Sequence, residues 1–212
     1  MKLILKGEFK SKDQLTIGQL PENAIKFEEP ESMEALNKAA AFFLIPVVLM
    51  LIFFYILKFG FSFDLKNLFS SGYILGFLIA FLCVIPHELL HGICFPKEAE
   101  VELWWSPKNL IVFVHSTAPI TKMRFIMLSL LPSFVFGMLP LILWLFVPVS
   151  ESGLGSALWG FGMISLFLGV GDFLNVYNAF RQVPNGALTQ LSGFHSYWFY
   201  PEGHEYNKTN QI

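Results

Sequence analysis

The sequence predicts an all-α membrane bundle, four transmembrane helices with a small cytoplasmic β-hairpin between the second and third. Three observations carry that prediction. Of 212 residues, 54% are hydrophobic and only 14% charged, with a mean hydropathy of +0.56, whereas soluble domains carry about 25% charged residues. Four apolar stretches, approximately 39–57, 73–95, 125–147 and 157–180, each reach the roughly 20 residues needed to cross a bilayer. Between the second and third lies one substantial polar loop, 96–124.

Residues 1–38 form a polar, lysine-rich cytoplasmic segment. Its start, Lys2-Leu3-Ile4-Leu5-Lys6-Gly7-Glu8-Phe9-Lys10, alternates as a strand does, and the segment reads as a small appendage. Pro30-Glu31-Ser32 then offers a helix start, with Ser32 as N-cap, leading into the first span. Residues 39–180 make up the four-helix domain. In the loop, Val101 to Trp105 and Leu110 to His115 are strand-like, and Ser106-Pro107-Lys108-Asn109 is the turn between them. Trp104 and Trp105 suit the membrane interface. This hairpin either caps the bundle or offers a strand edge to an extended peptide.

The third stretch contains Pro132 and Pro140, each lacking a backbone donor, so a kinked or broken helix is expected. The fourth carries Gly160, Gly162, Ser165, Gly169 and Gly171, which permit close approach of a neighbour. Residues 181–212 are read as a cytoplasmic tail whose aromatic part, Phe194 to Tyr206, lies on the membrane surface.

Charge sets the expected orientation. Lys2, Lys6, Lys10, Lys12, Lys26 and Lys38 precede the first span, Lys97, Lys108, Lys122 and Arg124 lie in the long loop, and Arg181 and Lys208 follow the last span. Only Lys58 and Lys66 fall on the other side, so both termini are expected to be cytoplasmic in a multi-pass protein of the cell membrane. A net charge of -2 excludes a basic stripe for nucleic acid. Cys83 and Cys94 lie in one apolar stretch and read as packing residues rather than a disulfide pair, with Cys94 a lesser candidate as a metal ligand. No apolar run of signal-peptide length precedes the first span, so targeting is expected to rest on that span.

Inside these apolar stretches sit four ionisable residues, His87, Glu88, His91 and Asp172. A charge in hydrocarbon costs roughly 2.5–3.5 kcal/mol on insertion scales, so each marks a functional position. His87-Glu88-Leu89-Leu90-His91 is an HExxH motif. Residues four apart share a helix face, so both imidazoles can bind one Zn²⁺ while Glu88 reaches a metal-activated water. Such a water has its pKa lowered to about 7, and the glutamate can carry its proton to the leaving amine of a peptide bond.

A catalytic zinc needs a third protein ligand, and Asp172, His115, His195, His204, Glu202 and Glu205 are the candidates. At 1.5 Å per residue, His91, His87 and Asp172 lie about 6, 12 and 12 Å from the cytoplasmic ends of their helices. Only Asp172 matches the histidines in depth, which makes His87, His91 and Asp172 the expected metal set and Glu88 the expected general base. Pro86 cannot donate to the carbonyl of Leu82, so a kink is expected just before the motif. Asn175 and Asn178 either hold a ligand in place or donate to a developing oxyanion, or else bond between helices.

These residues resemble a bacterial family of four-span membrane proteins regarded as zincin peptidases, a domain of otherwise unknown function. The resemblance rests on Pro86-His87-Glu88-Leu89-Leu90-His91-Gly92, on Pro119-Ile120-Thr121-Lys122-Met123-Arg124-Phe125 after the hairpin, and on Gly171-Asp172. More distantly the chain is similar to site-2 protease-type intramembrane metalloproteases, which bind zinc through HExxH on one membrane helix and an aspartate on a later one. That similarity implies cleavage of a membrane-embedded or membrane-proximal protein or peptide substrate. In that class the aspartate precedes glycine within an Asn-Pro stretch, whereas Asp172 precedes Phe173.

Two other readings stay open from sequence. Membrane zincins acting on prenylated peptides use a glutamate as third ligand, where the fourth stretch offers only Asp172. A non-catalytic metal-binding or scaffold protein regulating a partner would have no use for Glu88 beside the first ligand, and closed structural zinc sites usually have four protein ligands.

Overall fold

Proline and glycine decide where the helices of this chain break. The computed structural model describes residues 1–62, 66, 68–108 and 110–201. Ser32 caps the first helix, its Oγ accepting from Ala35 N at 3.2 Å. α1 (Met33–Ala41) and α2 (Leu44–Phe59) follow, and together Met33–Phe59 is long and apolar enough to cross a membrane. α3 (Ser71–Leu82) and α4 (Val84–Ile93) meet at Cys83 with a 46° bend, three residues before Pro86, whose ring would clash with the Leu82 carbonyl of a straight helix.

Lys122–Phe146, also long and apolar enough to cross a membrane, consists of α5 (Lys122–Pro132), a π-helical segment Ser133–Met138, and α6 (Leu139–Phe146). The two prolines therefore widen this helix rather than interrupt it. Pro140 has no N–H for the Phe136 carbonyl, and the Leu139 N–H reaches back five residues to Phe134 O. α7 (Ser152–Leu168) and α8 (Val170–Gln182) join at Gly169 with a 50° bend. By length and composition two helices among the described residues can cross a membrane, or up to four if each bent pair is one span.

The chain divides into two compact units, each assembled from separate stretches. The first takes Met1–Leu36, Glu88–Ser129 and Asn175–Ile212, the second Asn37–His87 and Leu130–Leu174. In the second unit Val47, Leu51, Phe54, Trp144, Trp159 and Leu166 form the core. Its outer surface stays apolar, with Phe42, Leu82 and Phe146 each about three-quarters exposed, as suits side chains that meet lipid rather than water. α3 and α7 lie so close that a Cβ at Gly76 would overlap the Ala157 carbonyl oxygen and sit 2.8 Å from Phe161 N.

The first unit holds more β-structure than a lone hairpin, so the all-α description covers only part of the chain. β3 (Glu100–Ser106) and β4 (Ile111–His115) form the expected hairpin, but β1 (Lys2–Glu8) pairs parallel to β3, giving the order β1-β3-β4. A second sheet, β2-β7-β6-β5, gathers β2 (Ile25–Lys26), β5 (Ile120–Thr121), β6 (Leu188–Ser192) and β7 (His195–Phe199). The aromatic stretch read as lying on a membrane is thus strand up to Phe199. Part of its signal was present, since the two-residue loop Gly193-Phe194 has glycine at φ +59°. Glu202, His204, Glu205 and Lys208 lie outside the described residues.

Beneath β1-β3-β4 lies a buried polar cluster. Glu102 accepts from Thr16 Oγ1 at 2.6 Å and Trp104 Nε1 at 3.0 Å and pairs with Lys6 Nζ at 3.0 Å. Burial raises its pKa, but these donors outweigh it and hold the carboxyl below its ordinary value. His115, one of the candidate third ligands, is 3% exposed. Its Nε2 donates to Gly193 O at 3.0 Å, and Nδ1 lies 3.4 Å from Glu102 Oε2. Burial pushes this imidazole down, against the pull of Gly193 and Glu102.

Both lowered values act in one direction. The unfolded chain binds more protons than the folded one below their ordinary pKa values, so stability falls as pH drops through about 6.5 for His115 and then through the carboxylate range for Glu102. Glu29, raised by burial despite the Ser196 N–H at 2.6 Å, offsets part of the loss at the acid end. Thermal melts across pH should show the decline, and His115→Gln should remove its upper limb. A melting temperature independent of pH would contradict the assignment.

Candidate metal centre

Two helix breaks set up the site. The bend at Cys83 places His87 near the start of α4, and the bend at Gly169 places Asp172 in the first turn of α8, where the helix dipole favours a carboxylate. On α4 the helical period then brings His87, Glu88 and His91 to one cluster, with one ligand atom of each within 4.8 Å of the others.

His87 Nε2 lies 3.2 Å from Asp172 Oδ2, and both side chains are mostly buried. Tetrahedral zinc with bonds of about 2.0–2.2 Å to nitrogen and oxygen holds two ligand atoms roughly 3.3 Å apart, so this pair already has a shared-ligand spacing. His91 is 6% exposed, and its Nδ1 lies 2.8 Å from Leu128 O. A carbonyl only accepts, so Nδ1 carries the proton and Nε2 keeps its lone pair for a metal. Phe136, from the π-helical segment, lies nearly parallel to the His87 ring, 21° between planes and 6.4 Å between centroids. The residues that cluster at metal-ligand spacing are His87, Glu88 and His91, with Asp172 beside His87, and imidazole and carboxylate donors of this kind fit zinc.

Glu88 Oε2 accepts from the backbone N–H of Val114, on β4, at 3.0 Å. That donor points off the β3–β4 ladder, in which Val114 faces Leu103 and Val112 faces Trp105. Residues in such non-hydrogen-bonded pairs direct both N–H and C=O to the free side, and β4 is an edge of its sheet.

The other expected residues fall elsewhere. His115 belongs to the Glu102 cluster. His195 lies between carboxylates, Nδ1 3.4 Å from Glu29 Oε1 and Nε2 3.1 Å from Glu31 Oε2. Asn175 is exposed, and Asn178 Oδ1 accepts from Gln182 Nε2 at 3.3 Å. Neither Cys83 nor Cys94 forms a disulfide. Sequence reasoning missed Phe136 and Val114 N–H, for which residue type carries no signal, and Leu128 O, which Pro132 four residues on leaves without its helical donor.

Helices apolar and long enough to cross a membrane, together with a partly buried His-Glu-His cluster that could hold a metal ion, give the class of chain. Residues 80–188, just over half the chain, match the family described as "Putative zincin peptidase", and the chain belongs to that family. No curated protein and no solved structure matches it.

Proposed function

We propose that this chain is a zinc-dependent metalloendopeptidase that cleaves membrane-embedded or membrane-proximal peptides. His87, His91 and Asp172 hold the metal and Glu88 is general base and then acid. The observation that carries the reading is the 3.2 Å approach of His87 Nε2 and Asp172 Oδ2, which adds a carboxylate from a second helix to the HExxH face.

Bound there, zinc would polarise a peptide carbonyl and acidify a water. The protein does the rest. Leu128 O keeps His91 in the ligating tautomer, and Glu88 takes a proton from the attacking water and delivers it to the departing amine. Val112 N–H, Val112 C=O and Val114 C=O, at the free edge of β4, suit backbone pairing with an extended peptide beside Glu88. In this reading the chain is a multi-pass protein of the cell membrane with both termini cytoplasmic and the centre toward the cytoplasmic side, following the lysine distribution.

The non-catalytic alternative, a metal-binding scaffold, is favoured by one observation, the Val114 N–H bond that gives Glu88 a structural tie. A carboxylate has about four lone-pair sites, so the Val114 N–H does not by itself occupy it. Metal content after identical chelator washing tests the ligand set. Wild type and Glu88→Gln are expected to retain about one zinc per chain and Asp172→Ala to lose it. Zinc retained by Asp172→Ala would remove Asp172 from the centre.

A further inference from the structure

The π-helical segment supplies more than Phe136. Its first residue, Ser133, is 3% exposed, and its Oγ has no hydrogen-bond partner among the described residues. Burying a hydroxyl unpaired costs roughly 1–3 kcal/mol, so its surroundings matter. A Cβ built at Gly169 would lie 2.7 Å from Ser133 Oγ and 3.5 Å from Asp172 Oδ2. The sum of those distances, 6.2 Å, is the farthest apart the two oxygens can be. Rotation about χ1 or one intervening water spans such a gap.

Gly169 is what makes the approach possible. It ends α7, its N–H donates to Ser165 O at 3.0 Å, and its carbonyl accepts the Asp172 N–H at 3.0 Å. Any side chain at this position would fill the space that Ser133 Oγ and Asp172 Oδ2 both border. π-Bulges occur often at functional sites, and this one sets Phe136 against His87 and Ser133 Oγ on the space beside Gly169 that Asp172 Oδ2 also borders.

We infer that Ser133 is a positioning residue of the metal centre, its hydroxyl donating to the Asp172 carboxylate and holding it in the ligating orientation. The inference rests on the reading of Asp172 as a zinc ligand. Groups that orient ligands in this way typically change metal affinity about 10–100-fold when removed.

The test is zinc affinity by chelator competition on the full chain in detergent, for wild type, Ser133→Ala and Ser156→Ala. Ser156 provides the control, being a fully buried serine of the same unit that bonds to Ser70 and to Gly153 O. Ser133→Ala is expected to weaken zinc about 10-fold or more and to shift the visible bands of the Co²⁺-substituted protein, with metal-free melting unchanged and Ser156→Ala like wild type. Tight zinc in wild type with the same affinity in Ser133→Ala would overturn the positioning role and leave the metal centre standing. Equal weakening in both serine variants, or a lowered metal-free melting temperature in Ser133→Ala, would make the effect structural and overturn it too. Wild type that binds no zinc would overturn both readings.

Discussion

Glu88→Gln is expected to lower the rate of peptide hydrolysis by about 10²–10⁴-fold, the usual contribution of a general acid–base group, while the metal stays bound. The amide preserves the size of the side chain and an oxygen that can accept from the Val114 N–H, now at 3.0 Å from Glu88 Oε2. It cannot accept the proton of the attacking water. Turnover of a membrane-anchored peptide substrate by the zinc-loaded protein in detergent or vesicles measures the effect. Full activity in Glu88→Gln would refute the catalytic role, and loss of zinc together with activity would show that Glu88 serves as a ligand.

Gly76→Ala is expected to destabilise the helical unit by at least about 3 kcal/mol, the upper part of the range for overpacked cores. The added Cβ meets the backbone carbonyl of Ala157 and the amide nitrogen of Phe161, and backbone cannot rotate away as a side-chain end can. α3 and α7 would have to separate along the face where Gly72 and Gly76 meet α7. That separation would also loosen the Ser70–Ser156 hydroxyl pair. Thermal melting in a fixed detergent should show a large fall for Gly76→Ala and little change for Gly153→Ala, where a Cβ meets nothing within 4 Å. Equal melting temperatures would show that the two helices are free to move apart.

Several features were legible in the chain because they are local. Hydrophobic runs count the apolar stretches, and i,i+4 spacing puts His87 and His91 on one face whatever surrounds them. Pro86 breaks its helix through its own ring. Depth along the helices matched Asp172 to His87, and the two side chains lie within 3.2 Å.

The β-structure was legible only in part. Alternation marked β1 and the β3–β4 hairpin as strands, but nothing in Lys2 to Glu8 says that its partner begins at Glu100. Such a parallel pairing needs a long crossover connection, and nothing local in either strand encodes it. Likewise His115 reads as a surface residue until Glu102 and Gly193 are brought to it from other strands and turns.

Residue type and periodicity by themselves determined the apolar helices and the HExxH face. Only the tertiary structure decided which strands pair, that Leu128 O fixes the His91 tautomer, that Val114 N–H engages Glu88 and that Ser133 borders the space beside Asp172. Backbone amides and carbonyls are chemically alike at nearly every position, so which of them meets a functional side chain is set by how distant segments pack and leaves no mark in the sequence.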